Sequence, residues 1–237
     1  MSSRLYRERG VVLRTHKLGE ADRIISLVTE SRGKVRAVAK GVRKTTSKFG
    51  ARLEPTTHVA VQCYEGRNLD VITQAERVEV FGTIRSDLEL LRDAVTMLEV
   101  IDQVSQEGRN DPGHYRMLTG ALRTLDDTRS RVVAPAFFAK LLAHDGVRPV
   151  TDRCAVCGES ADLVAFDLVA GGALCRTHRS GGPVSLEALG IFDDVLSGRL
   201  NQVLDRPATK AVTEFAGVAT RAVEDHLERR LRSVAVF

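Results

Sequence analysis

The chain has 237 residues, 43% of them apolar and 28% charged, which is enough apolar content for an ordinary core and excludes wholesale disorder. No run of about 18 apolar residues occurs, so a transmembrane helix is excluded. Residues 1–10 lack the apolar stretch of a secretory signal, and the expected location is the cytoplasm. The net charge of +4 hides an asymmetry: residues 1–50 hold 13 Lys/Arg against 4 Asp/Glu, and the remainder 22 against 27. A basic head on a faintly acidic body points to a polyanion-binding module joined to something else.

The first 80 residues read as strands. Short β-branched runs predict strands over 11–13, 23–29, 34–40, 58–64 and 69–73, with turns at 31–34 and 65–68 that carry Gly33 and Gly66. Five short strands with Gly-bearing turns suit a small barrel. An OB-like barrel fits, with a long basic connection between the third and fourth strands, and propensity alone does not separate it from an SH3-like one.

After residue 80 the period becomes helical. Ser86-Asp87-Leu88-Glu89 reads as a capping box with Ser86 as the N-cap, followed by Leu88, Leu91, Val95, Leu98 and Ile101 on one face up to Gly108. Asp111-Pro112 opens a second helix with Tyr115, Leu118, Leu122 and Leu125 inward. A third spans 133–145 with Phe137, Phe138, Leu141 and Leu142, and stops at Gly146. Residues 185–200 and 207–231 are helical again, after a short linker at 180–183. The expected fold class is therefore α+β. An N-terminal OB-fold nucleic-acid-binding domain occupies 1–80, and a helical domain over 81–237 is interrupted by an insert at 150–182.

The insert holds the strongest local signal: Cys154-Ala155-Val156-Cys157, then 17 residues, then Cys175-Arg176-Thr177-His178. Two ligands with two residues between them can bite one metal from a tight turn, and two such knuckles make a zinc-ribbon site. The predicted ligands are Cys154, Cys157, Cys175 and His178, around one Zn2+. All four tetrahedral positions come from protein, so the metal is structural. The strands predicted between the knuckles join at Gly171-Gly172. A redox pair would need a βαβ context, and a zinc deaminase would need an upstream H-x-E, which is missing. Cys63 stands alone on an apolar strand and reads as a buried thiol.

From Ser31 to Leu53 there are eight Lys/Arg and no acid. The predicted nucleic-acid-binding residues are Arg32, Lys34, Arg36, Lys40, Arg43, Lys44 and Lys48. On a strand Lys34, Arg36 and Lys40 share the outward face, while Val35, Ala37 and Ala39 point inward. Such a row suits a phosphate backbone lying across the barrel. Phe49 and Tyr64 are the expected stacking residues. His16, His58, His114, His144 and His226 read as surface or capping residues. No P-loop, G-x-G-x-x-G, G-x-S-x-G or H-E-x-x-H motif occurs, so nothing supports a catalytic constellation. The rival readings are a zinc-ribbon transcription regulator, which would need a base-reading helix, and a hydrolase, for which no general base is apparent.

Gly10-Val11-Val12-Leu13, Leu18-Gly19-Glu20-Ala21-Asp22, Thr29-Glu30-Ser31-Arg32-Gly33 and Ala39-Lys40-Gly41-Val42-Arg43 together resemble the N-terminal signature of the bacterial RecO family. The order of barrel, helices, four-ligand insert and helices is similar as well, as is the run from His226 to Ser233. The resemblance implies a recombination mediator that is not an enzyme. Such proteins bind single- and double-stranded DNA, anneal complementary strands, and with RecR help load RecA onto strands coated by single-stranded-DNA-binding protein, whose C-terminal tail they contact. It also implies a bacterial cytoplasmic protein associated with the nucleoid. The family's usual fourth metal ligand is Cys; here it is His178.

Overall fold

The computed structural model describes residues 5–235. Five strands close a barrel in the order β1-β2-β3-β5-β4. They are β1 (Leu5–Leu18), β2 (Asp22–Thr29), β3 (Gly33–Ala39), β4 (His58–Tyr64) and β5 (Asp70–Glu79). β1 pairs antiparallel with both β2 and β4, and β3 meets β5 in parallel. That pattern is OB-like, and it settles the choice against an SH3-like barrel.

Alternation drives the barrel. On β3, Val35, Ala37 and Ala39 are buried while Lys34, Arg36 and Val38 are half-buried between them. The inward row packs with Val12, Ile25, Leu27, Val59, Val61 and Ile72. Two further side chains fill the interior from outside the strands: a 3-10 turn, Gly50–Leu53, and the residue before it deliver Leu53 and Phe49, each 1% exposed. Fully burying a side chain of this size stabilises by about 1.5–3 kcal/mol.

Two strands run longer than their β-branched cores. β1 begins at Leu5 because residues 5–11 pair with β4, and it continues to Leu18 against β2 across a bulge between Val12 and Arg14. β5 extends to Glu79 along β4. Length here is set by available partners, not by local propensity.

A short helix α1 (Gly82–Ser86) leads to α2 (Leu88–Val104), α3 (Pro112–Thr128) and α4 (Val133–His144). The N-cap of α2 is Asp87, not Ser86: its carboxylate accepts from the amides of Glu89 and Leu90 at 2.9 and 3.2 Å. Ser86 closes α1 instead, donating to the Thr83 carbonyl at 3.0 Å. An ionised cap next to a helix N-terminus is the stronger acceptor. The insert follows as a hairpin of β6 (Leu163–Asp167) and β7 (Gly172–Cys175), with a short β8 (Gly182–Pro183) on the other edge of β6. Then come α5 (Leu186–Leu196), α6 (Asn201–Leu204), α7 (Lys210–His226) and α8 (Arg232–Ala235). The helix expected over 185–200 thus ends early at Leu196, with α6 following beyond the expected span, and the one expected over 207–231 is shorter at both ends.

The chain divides into two compact units: residues 1–127 with 232–237, and residues 128–231. In the first, α8 returns to α2, where the amides of Arg232 and Ser233 donate to the Glu99 carboxylate at 3.0 and 2.9 Å. In the second, Phe166 of β6 stacks on Phe192 of α5 at 5.5 Å, and Phe192 meets Phe215 of α7 edge-on at 4.6 Å. Those aromatic contacts tie the insert to its helices.

Candidate nucleic-acid interface and metal centre

The structure sorts the predicted cations by what they already hold. Lys34 is taken: its ammonium lies 2.8 Å from the Asp102 carboxylate of α2, and the two side chains are 11% and 10% exposed. Arg14 reaches the same carboxylate at 2.9 Å. Arg36 pairs with Glu107 at 3.3 Å on the surface. Arg32 lies over the Tyr6 ring at 3.9 Å and 4.0 Å from the buried Glu8 carboxylate. Arg43 donates to the carbonyls of Gly19 and Glu20 at 3.3 and 2.8 Å, which ties the β3–β4 connection to the β1–β2 turn. Lys48 donates to the Thr73 carbonyl at 2.9 Å. Lys40 and Lys44 are exposed and hold no protein partner among the described residues.

Arg36 on β3 and Lys40, Arg43 and Lys44 in the loop after it therefore remain at the surface, whereas Lys34 is withdrawn from it. The signal for the withdrawal lies 68 residues away in sequence, on a helix. The aromatic expectation needs correction at Phe49, which is a core side chain and offers no face to a base. Tyr64 stays 44% exposed.

The histidine expectation also needs correction. His58 is buried, with its ring nitrogens 3.3 Å from Glu79 and 2.9 Å from the Tyr115 hydroxyl. Arg123 of α3 holds the same Glu79 carboxylate through Nε at 3.0 and 2.9 Å. Burial pushes the His58 ring down from its ordinary value, against a smaller opposing pull from Glu79. His114 is buried as well. Cys63 is fully buried, as expected, and desolvation pushes its thiol up to about 11.

The second constellation lies in the insert. Cys154, Cys157, Cys175 and His178 bring one donor atom each within 4.8 Å of one another. The Cys157 and Cys175 sulfurs are 3.8 Å apart, and His178 Nδ1 is 3.4 Å from Cys175 Sγ and 3.9 Å from Cys154 Sγ. A tetrahedral centre with metal–sulfur bonds of about 2.3 Å needs sulfurs about 3.8 Å apart, so the donor set fits. The scaffold explains the convergence. Gly158 turns at φ +78° and returns its amide to the Cys154 carbonyl at 2.9 Å. The second pair sits at the end of β7, held to the first by the Ala155 amide on the Ala173 carbonyl at 2.8 Å. Gly172 is required: a Cβ there would lie 2.1 Å from the Val150 carbonyl oxygen. Backbone amides favour the anionic form. At Cys175 the His178 amide leads, and the net direction is down. At Cys154 burial opposes ionisation, yet the amides of Cys175, Cys157 and Val156 outweigh it.

The N-terminal family model for recombination protein O matches residues 1–81. The C-terminal model matches residues 85–235. A DNA repair protein RecO from Nocardioides sp. is 41% identical over 240 residues, covering 98% of each chain. The chain belongs to the RecO family.

With the family established, the two constellations acquire a frame. The role is in DNA repair and recombination, and the OB-like barrel falls in the part matched by the N-terminal RecO model. The Cys/His cluster falls in the part matched by the C-terminal RecO model. Among the described residues no helix is long and apolar enough to cross a membrane.

Proposed function

We propose that this RecO-family chain is a recombination mediator that binds single- and double-stranded DNA and anneals complementary strands. The observation that carries the reading is the run of surface cations on β3 of a closed OB-like barrel and the loop after it: Arg36, Lys40, Arg43 and Lys44, with the Lys40 and Lys44 side chains free of protein partners among the described residues. Annealing needs no nucleophile or general base, so the protein acts without catalysis. Two like-charged strands are brought together on a cationic surface, and counterion release offsets their repulsion. Contacts go to phosphates because base edges must stay free to pair. The burial of Phe49 supports this, since it leaves that run poor in stacking faces.

The same reading places RecR, single-stranded-DNA-binding protein through its C-terminal tail, and RecA indirectly among the partners, and the nucleoid of the bacterial cytoplasm as the location. The Cys/His cluster holds one structural Zn2+ that fixes the hairpin.

A salt titration tests the DNA surface. If about five phosphates are neutralised, the log–log slope on single strands is near −3.5. Replacing Arg36 and Lys40 by Ala flattens it by about 1.4 and weakens all sequences alike. A double variant with unchanged affinity and slope overturns the assignment.

A further inference from the structure

β5 is paired on both sides at its start alone. β3 reaches it at Ala37↔Asp70 and Val38↔Val71, whereas β4 follows it to Glu79. Beyond Val71 the free edge faces residues 47–52, across an open cleft of about 870 Å³. The carbonyls of Thr73 and Ala75 turn into that cleft. Each is met by a side chain instead of a strand: Lys48 Nζ at 2.9 Å on Thr73, and Arg52 Nη1 at 3.5 Å on Ala75. Residues two apart on one edge repeat at roughly 6.8 Å, the period of a β-ladder. Two cations thus stand where a strand's N–H groups would lie.

The chemistry of the wall selects the occupant. Carbonyl oxygens repel phosphate oxygens, which are also acceptors. An occupant must bring N–H donors at strand spacing. It must also bring negative charge, because Lys48, Arg52 and Arg77 line the cleft against Glu76 alone. An extended acidic peptide meets both demands, and a nucleic-acid backbone meets one.

We propose that an acidic peptide segment of a partner adds as a strand to the open edge of β5. Its amides take over the Thr73 and Ala75 carbonyls, and the released Lys48 and Arg52 pair with its carboxylates. This goes beyond the DNA reading, because the cleft is lined by residues 47–52 and 73–77 and by none of Arg36, Lys40, Arg43 and Lys44.

The test uses the full chain and a fluorescein-labelled decapeptide alternating aspartate with valine. A twin peptide, N-methylated at alternate residues, keeps the charge and loses the donors on one edge. The parent binds, and the twin is weaker by about tenfold, the loss of two hydrogen bonds. Arg77→Ala weakens the parent severalfold. Amide exchange at Thr73, Ala75 and Arg77 slows when the parent is bound. Equal binding of the twin overturns the proposal in favour of charge alone. Protection of the same amides by oligothymidylate instead of peptide overturns it in favour of nucleic acid. Absence of parent binding at peptide concentrations on the order of millimolar also overturns it. None of these readouts depends on Arg36 or Lys40, so failure here leaves the DNA surface standing.

Discussion

Lys34 of β3 and Asp102 of α2 form an ion pair at 2.8 Å with both side chains about nine-tenths buried. A lysine that the strand alternation directs outward is covered by a helix. Its cation neutralises an acid and is withheld from any ligand. Lys34→Ala is therefore a stability variant. It leaves Asp102 with Arg14 as its remaining partner and costs about 2 kcal/mol in chemical denaturation. The salt slope for single-stranded DNA stays at its wild-type value, in contrast to the Arg36/Lys40 double variant. A slope flattened by about 0.7 in Lys34→Ala refutes the covering role.

The turn that carries Lys34 is equally constrained. Gly33 sits at φ +67°, and a Cβ there would come 2.1 Å from the Arg109 carbonyl oxygen. Gly33→Ala must strain the turn and push the α2–α3 loop away. A loss of more than about 1 kcal/mol is expected, larger than the usual cost of positive φ alone. A neutral effect on the denaturation midpoint would contradict the close approach.

The metal centre is read through Cys175. Cys175→Ser removes one donor of four and breaks the link between knuckle and hairpin. Purified wild-type protein should carry one zinc per chain by elemental analysis, and the variant close to none. Thermal unfolding of the variant falls, while salt-dependent DNA binding by the surface cations of β3 and its loop is retained in part. Zinc-free wild-type protein with unchanged stability would eliminate the structural role.

His58 gives the barrel a pH dependence with a defined sign. Its folded-state pKa is depressed by burial, and the groups facing it are Glu79 of β5, Tyr115 and Arg123 of α3, and Arg9 of β1. Below the unfolded-state value of about 6.5, the unfolded chain binds a proton that the folded chain refuses. The stability linked to His58 is complete above about pH 6.5 and is lost as pH falls toward the folded pKa. The slope cannot exceed about 1.4 kcal/mol per pH unit for this one group. His58→Gln should remove that part of the slope between pH 7.5 and 5.5, measured by urea denaturation. An identical slope in wild type and variant would exclude it.

Local chemistry made much of this legible from sequence. The alternation of β3, the knuckle spacing and the Pro112 helix start are written in neighbouring residues, and each appears in the structure where it was expected. What escaped depends on distant partners. The extent of β1 follows from β4, the cover over Lys34 from α2, and the burial of Phe49 from a barrel that must fill its own interior. At α2 the miss was chemical: Asp87 outcompetes Ser86 for the helix amides because it is charged. His58 carries no motif, and its partners Glu79 and Tyr115 lie 21 and 57 residues away.

The return of Arg232 and Ser233 to Glu99 makes the first unit discontinuous along the chain. A ribosome delivers residues 128–231 before that contact can close. Synthesis therefore imposes an order: residues 128–231 are all made before the segment that satisfies Glu99. During that interval the Glu99 end of α2 is held by one less docked element than in the finished protein.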